Sequence, residues 1–146
     1  MKHPFFLTFL ILAMIGSTFA TGCQSGHEVS HTFEMADAEQ LPAEMAHAPR
    51  KIREAYQFAV ANPDVLEHIP CYCGCGPMGH SSNYDCYVAN VVADGPIEYD
   101  EHALICSICI DITQDTMKML DEGRPLSEIR ATIDESYSPY GPSNMP

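Results

Sequence analysis

Tryptophan is absent from the sequence, and cationic side chains are scarce: the 146 residues contain 7 Lys and Arg against 20 Asp and Glu. The formal net charge of -13 repels phosphate groups, which argues against nucleic acids and anionic lipid headgroups as electrostatic partners. The length is that of one domain with a short extension. We therefore expect a small acidic protein that does not bind nucleic acid.

Signatures of common catalytic sites are also missing. The chain has no Cys-x-x-Cys-His motif for covalent haem attachment, and the usual cysteine spacings of iron–sulfur proteins do not occur. No Ser-His-Asp order, phosphate-binding loop or pair of catalytic carboxylates stands out. A binding protein is therefore expected, and not an enzyme.

The first 22 residues have the pattern of a secretory signal peptide. Lys2 precedes an apolar run over residues 5–15, and small residues at 20–22 lead to Cys23, as at a bacterial lipoprotein cleavage site. The run is shorter than the roughly 20 residues that cross a bilayer. Residues 1–22 are predicted to be removed and Cys23 to be lipidated, which would hold the protein outside the cytoplasm at the cell surface. A plain signal peptide cut near Cys23 and an uncleaved anchor are the alternatives.

The rest of the chain is predicted to divide into a tether, a domain and a tail. Residues 23–48 are polar and acidic without sustained periodicity, which indicates a flexible tether. Residues 49–140 carry helical patterns and form the predicted domain, and residues 141–146 are predicted to be disordered. The tether also contains side chains that bind soft or borderline metals, which can equally be incidental: His27, His31, Met35, Met45 and His47.

Hydrophobic periodicity predicts an all-α domain with a Cys-rich loop packed on a long central helix. The helices are expected at about residues 49–61, 63–69, 100–122 and 126–137. Glycine, proline and serine make residues 71–85 a loop, and the apolar segment 86–93 fits a short helix or a strand. Small domains with modest apolar cores often depend on a metal or on disulfides.

Six cysteines remain after the predicted cleavage, and they cluster. Cys71, Cys73 and Cys75 alternate in an extended segment where glycines let the backbone curl, so their sulfurs can converge. Cys86 follows the loop. Cys106 and Cys109 have the i, i+3 spacing that places two side chains on one helix face. The odd total of seven is explained if Cys23 belongs to the lipid.

Clustered thiolates predict a soft-metal site, with Cu(I) favoured over Zn(II). Metal homeostasis or delivery to an unidentified receiving protein is the predicted role. The proposed primary ligands are Cys71, Cys73, Cys75, Cys106 and Cys109; Cys86 and His80 are secondary candidates, and Met78, His102 and Met117 are weaker ones.

Two other interpretations of the cysteines remain open. Six cysteines in a secreted domain can form three disulfides that stabilise an interaction module without metal. Cys106 and Cys109 can also form a redox pair, although thioredoxin-type chemistry needs that motif at a helix N-terminus, whereas the periodicity places it inside a helix.

The string Pro-Cys-Tyr-Cys-Gly-Cys at residues 70–75 resembles the signature of the bacterial PCYCGC-motif lipoproteins. The similarity extends over Gly79-His80, Asp85-Cys86 and the Cys106-x-x-Cys109 motif, within residues 41–140. It implies a membrane-anchored lipoprotein with this cysteine set. Because the function of that family is largely unknown, the resemblance implies no catalytic role, and the metal prediction depends on ligand chemistry alone.

Overall fold

The structure is a computed structural model that describes residues 32–93 and 95–146. The predicted signal peptide, Cys23, His27 and His31 lie outside these residues. Within the described part of the chain, no helix is both long enough and apolar enough to span a bilayer.

Six α-helices and a two-stranded sheet make up the described residues. The helices are α1 (Ala43–Ala46), α2 (Arg50–Ala61), α3 (Pro63–Leu66), α4 (His102–Ile105), α5 (Ser107–Asp121) and α6 (Leu126–Tyr137). The strands are β1 (Val88–Val91) and β2 (Ile97–Tyr99). Single 3-10 turns are formed by Ala38–Gln40, Gly76–Met78, Tyr84–Cys86 and Ser138–Tyr140.

The prediction of an all-α fold is wrong in one respect, because β1 and β2 form an antiparallel hairpin. Val88 pairs with Tyr99 and Val91 with Ile97, with an irregularity after Val88. The strand alternative for the segment 86–93 is therefore confirmed for β1. The sequence signal for β2 was too short to separate from the helix start expected at Asp100, since three residues show hardly any periodicity.

The core lies where α2 and α6 pack on α5. Helix α2 contributes Tyr56 and Phe58, and α6 contributes Ile129 and Ile133, all of them buried. Ile112 of α5 is enclosed among buried residues of the same core. At the surface, Lys51 forms an ion pair with Asp111, and the Gln114 side chain donates to the Lys51 carbonyl oxygen at 2.9 Å. These contacts fix α5 as the central helix.

The predicted central helix is interrupted at Cys106. This residue has extended backbone angles (φ -112°, ψ 102°), so α4 ends at Ile105 and α5 begins at Ser107. The prediction of one helix over residues 100–122 is therefore wrong, and Ile105, the last residue of α4, is 89% exposed. The break changes the course of the backbone between α4 and α5. His102 and Cys106 therefore do not occupy the positions that they would have in one continuous helix.

The structure also differs from the predicted tether over residues 32–48. Leu41 and Met45 are buried in the core cluster, and the ring of Phe33 packs edge to face on Phe58 at 4.9 Å between centroids. The Ala36 amide donates to the Gln57 carbonyl oxygen at 3.1 Å. The few apolar side chains of this acidic segment therefore suffice to hold it against α2.

Candidate metal centre

The loop that follows Pro70 doubles back on itself and brings Cys86 next to Cys75. The Asn83 amide donates to the Ile69 carbonyl oxygen at 2.7 Å, which closes the loop at its base. The Asp85 carboxylate accepts from the Ser81 amide at 2.6 Å and from its hydroxyl at 2.8 Å, which tightens the turn before Cys86. As a result, the sulfurs of Cys75 and Cys86 lie 3.9 Å apart.

Gly74 allows the chain to turn between the second and third cysteines of the motif. Its φ of +82° lies in the left-handed region, where a side chain would be strained by about 1–2 kcal/mol. The sulfurs of Cys73 and Cys75, on either side of the turn, lie within 4.8 Å of each other.

The helical side of the cluster starts at the break before α5. Cys106 is the residue immediately before α5, and Cys109 lies in its first turn, fully buried. A buried network joins this turn to the loop: the Tyr87 hydroxyl donates to the Cys109 carbonyl oxygen at 2.9 Å, and the Asn83 side chain donates to the Thr113 hydroxyl at 2.7 Å. The fold therefore fixes Cys109 relative to the loop cysteines.

Three sulfurs from the two segments form a close triangle. Cys71 and Cys73 are 3.4 Å apart, Cys71 and Cys109 are 3.5 Å apart, and Cys73 and Cys109 are 3.6 Å apart. Metal–sulfur bonds of about 2.3 Å at tetrahedral angles place sulfurs roughly 3.8 Å apart. The separations are thus close to those of a thiolate metal site and far longer than the roughly 2.05 Å of a disulfide.

The potential ligand atoms fall into two sets of four, within each of which all atoms lie within 4.8 Å of one another. We call them the loop set and the helix set. The loop set consists of Cys71, Cys73, Cys75 and Cys86. The helix set consists of Cys73, His102, Cys106 and Cys109. The structure therefore brings together all six predicted cysteines.

The two sets differ in exposure. In the loop set, Cys71, Cys75 and Cys86 are buried, whereas the helix set includes the partly exposed His102 and Cys106. The six cysteines of the described residues are free thiols in the structure.

Contacts and burial within the cluster shift the pKa values of five cysteines in opposite directions. A hydrogen bond with Cys109 lowers the pKa of Cys71 to about 2, and a hydrogen bond with Cys86 lowers the pKa of Cys73 to about 5. A hydrogen bond with Cys109 raises the pKa of Cys86, a hydrogen bond with Cys71 raises the pKa of Cys109, and burial raises the pKa of Cys106. These shifts favour the thiolate form, which metals bind, at Cys71 and Cys73.

The structure favours His102 over His80 as a ligand, which is the reverse of the predicted order. His102 Nε2 lies 3.3 Å from the Cys73 sulfur, so it belongs to the helix set. His80 lies outside both sets: its buried ring packs edge to face on His102, with centroids 5.3 Å apart. Asp100 connects the two, because its carboxylate lies 3.4 Å from His80 Nε2 and accepts from the His102 amide at 2.7 Å. His80 and Asp100 therefore hold His102 in place.

One methionine candidate is exposed and the other is buried along α5. Met78 is 62% exposed on the loop turn. Met117 is buried eight residues beyond Cys109 on α5, which corresponds to about 12 Å along the helix. Nothing in the arrangement favours either methionine as a ligand.

The position of the Cys106-x-x-Cys109 motif fits a redox pair, but the pKa values of its two thiols do not. The break at Cys106 puts the Cys106-x-x-Cys109 motif at the start of α5, so our reason for discounting a redox pair, its position inside a helix, is wrong. However, the pKa of both thiols is raised, which disfavours the thiolate that attacks disulfides. The two strands are antiparallel neighbours, so they do not form a βαβ unit.

Asn144 holds the cysteine loop from the other end of the chain, and sequence reasoning missed it. Its side-chain oxygen accepts from the Cys71 amide at 2.7 Å, and its amide donates to the Cys71 carbonyl oxygen at 3.1 Å. The side-chain nitrogen donates to the Ser82 carbonyl oxygen at 3.0 Å and to the Cys75 sulfur at 3.7 Å. Residues 141–146, predicted to be disordered, are thus docked on the loop through what we call the Asn144 clasp.

Two further contacts explain why the tail lies there. The backbone of Gly141 passes so close to Tyr72 that a Cβ would lie 2.7 Å from the Tyr72 carbonyl oxygen. The Tyr72 hydroxyl donates to the Asp134 carboxylate at 2.5 Å, which joins the loop to α6 just before the tail. A lone asparagine among Pro, Ser and Met residues carries no sequence signal for such contacts.

Comparison with known proteins identifies the family. A family model described as "Protein of unknown function with PCYCGC motif" matches residues 7–146. No curated protein and no solved structure gives a significant match. The resemblance seen in the hexapeptide at residues 70–75 is confirmed over nearly the whole sequence. The chain therefore belongs to the PCYCGC-motif family, whose function is unknown.

Proposed function

We propose that this protein binds a soft metal ion, Cu(I) in preference to Zn(II), through its clustered thiols, and serves in metal homeostasis or delivery outside the cytoplasm. The observation that carries the proposal is the convergence of six cysteines and one histidine into two four-atom sets. Thiolate ligands select Cu(I), Zn(II) or iron–sulfur clusters.

The triangle of Cys71, Cys73 and Cys109 supports a metal more than disulfides. A disulfide joins two sulfurs, whereas here each of the three lies 3.4–3.6 Å from both others. Pairing any two leaves the third unused beside them. Metal coordination can use all three and also compensates the charge of buried thiolates, which is otherwise costly.

Structural zinc is the second candidate, because the sets match its preferred ligands. The loop set offers four cysteines, and the helix set offers three cysteines and one histidine; both combinations are common for structural Zn(II). The partial exposure of His102 and Cys106 instead supports an ion that exchanges with a partner, as delivery requires. The two candidates are distinguished by displacement, because Cu(I) should replace Zn(II) at a copper site but not at a structural zinc site.

The test is an anaerobic purification of the full chain in detergent, followed by elemental analysis and a thiol count. We expect bound metal and thiols that react only after the metal is removed by a chelator. A limited amount of Cu(I) should then displace Zn(II). The Cys23→Ser variant, which lacks the predicted lipidation site, should retain the same metal content.

Metal-free protein that takes up no Cu(I) after reduction would contradict the proposal and favour the disulfide-stabilised module. Bound Zn(II) that excess Cu(I) fails to displace would favour the structural-zinc candidate. Turnover of a disulfide substrate that depends on Cys106 and Cys109 would indicate the redox role.

The membrane anchor is proposed on the sequence of residues 1–23 alone. Lipidation at Cys23 would place the cluster at the cell surface, where a receiving protein can reach it. Mass spectrometry of the N-terminal peptide from membranes should show a diacylglyceryl group on Cys23 and the loss of residues 1–22. An unmodified Cys23 would rule out this form of anchoring and leave the metal site unaffected.

A further inference from the structure

We propose that the cluster holds two metal ions and that the Cys73 thiolate bridges them. This inference rests on the proposed metal-binding function. Among the described residues, Cys73 alone belongs to both the loop set and the helix set. The loop set would hold one ion and the helix set the other.

The number of ligands fits two four-coordinate ions only if one ligand is shared. The two sets of four contain seven different residues, six cysteines and His102. Two tetrahedral ions need eight ligand positions. A thiolate sulfur has enough lone pairs to bind two metals, and the position of Cys73 supplies the eighth ligand.

The Cys73 sulfur lies close to ligand atoms of both the loop set and the helix set. On the loop side it lies 3.4 Å from the Cys71 sulfur. On the helix side it lies 3.6 Å from the Cys109 sulfur and 3.3 Å from His102 Nε2. Cys73 is thus in contact range of ligands of each ion, as a bridging atom must be.

The two ions would have different surroundings. The loop ion has only sulfur ligands, three of them buried, whereas the helix ion has the His102 nitrogen and the partly exposed Cys106. A spectroscopic probe that senses its ligands should therefore give two distinct signals.

Cadmium-113 NMR of the full chain in detergent tests the bridge directly, because Cd(II) is a four-coordinate d10 ion that binds thiolates. We expect two Cd(II) per chain and two resonances of equal intensity, split by coupling to each other through the shared sulfur. Elemental analysis should give two ions per chain with Zn(II) as well, because Zn(II) is also four-coordinate.

The outcomes separate this inference from the function on which it rests. Absence of bound ions would contradict the metal function itself. One ion per chain, more than two, or two resonances without mutual coupling would overturn the bridged pair while leaving metal binding intact. None of these measurements requires a variant, so a variant that fails to fold cannot obscure the answer.

Variants provide an independent check. Cys75→Ser and Cys106→Ser each remove a ligand of one set, so each should lose one resonance and keep the other. Cys73→Ser should weaken both ions, each by more than about tenfold, since even the loss of an indirect partner of a ligand costs that much. A Cys73→Ser protein that loses one ion and keeps the other at full affinity would overturn the bridge. Cys23→Ser should match the unaltered chain.

Discussion

Metal-free protein is expected to unfold at a much lower temperature than metal-loaded protein. An ion that binds only the folded state stabilises it by about 4 kcal/mol when its free concentration is about 1,000 times Kd. In a domain of this size that corresponds to a shift in Tm of the order of 15 °C. Residues 71–86 should respond most, because their buried cysteines lose the cation that neutralises them. Circular dichroism melting curves with and without Cu(I) or Zn(II) measure the shift.

The Cys75→Ser variant is the matched control for this experiment. It lacks one ligand of the loop set but retains the rest of the fold, so added metal should raise its Tm less than that of the unaltered chain. If the metal-free and metal-loaded unaltered chains gave superimposable melting curves, metal binding would not stabilise the fold, and the prediction would be wrong.

Met45→Ala is expected to lower the free energy of unfolding by about 2–5 kcal/mol, the range for truncating a buried Met, Leu or Ile side chain. Met45 is 1% exposed in α1, inside the segment that the sequence predicts to be a flexible tether. If residues 32–48 pack as the structure shows, the variant leaves a cavity beside the core. Urea denaturation of the unaltered and variant chains measures the difference.

Glu44→Ala in the same helix is the control. Glu44 is exposed, so its replacement should change stability by no more than about 0.5 kcal/mol. Equal, small effects for Met45→Ala and Glu44→Ala would mean that this segment is a tether after all.

Prediction from sequence succeeded for elements with a long periodic signal. Helix α6 spans Leu126–Tyr137, as the spacing of Leu126, Ile129 and Ile133 predicts, and α2 begins one residue after the predicted start. In both helices the apolar stripe faces the core, so local pattern and tertiary packing agree.

The break at Cys106 was beyond prediction because nothing in the local sequence marks it. Residues 102–121 contain neither proline nor glycine, and their pattern fits one helix. The interruption lies within the candidate site: Cys106, at the break, and His102, before it, both belong to the helix set. Such local conflicts with propensity are expected at functional sites.

The candidate site was predicted from cysteine chemistry, but its supporting residues were not. The clustering of the six cysteines followed from their spacing. By contrast, the preference for His102 over His80 depends on Asp100 and on ring packing between distant parts of the chain. The Asn144 clasp depends on a contact across 73 residues of sequence. Neither has a local pattern from which it could be inferred.

The Asn144 clasp also sets an order of events during synthesis. All six cysteines of the cluster have been made once Cys109 is added, but the residue that holds Cys71 in place comes 35 positions later, from Cys109 to Asn144. Until then the thiols are exposed to oxidants and to stray metals without their final geometry. Any loading of the site should therefore follow completion of the chain, and a truncation just before Asn144 would give a protein that has every ligand but lacks the contacts that hold the loop.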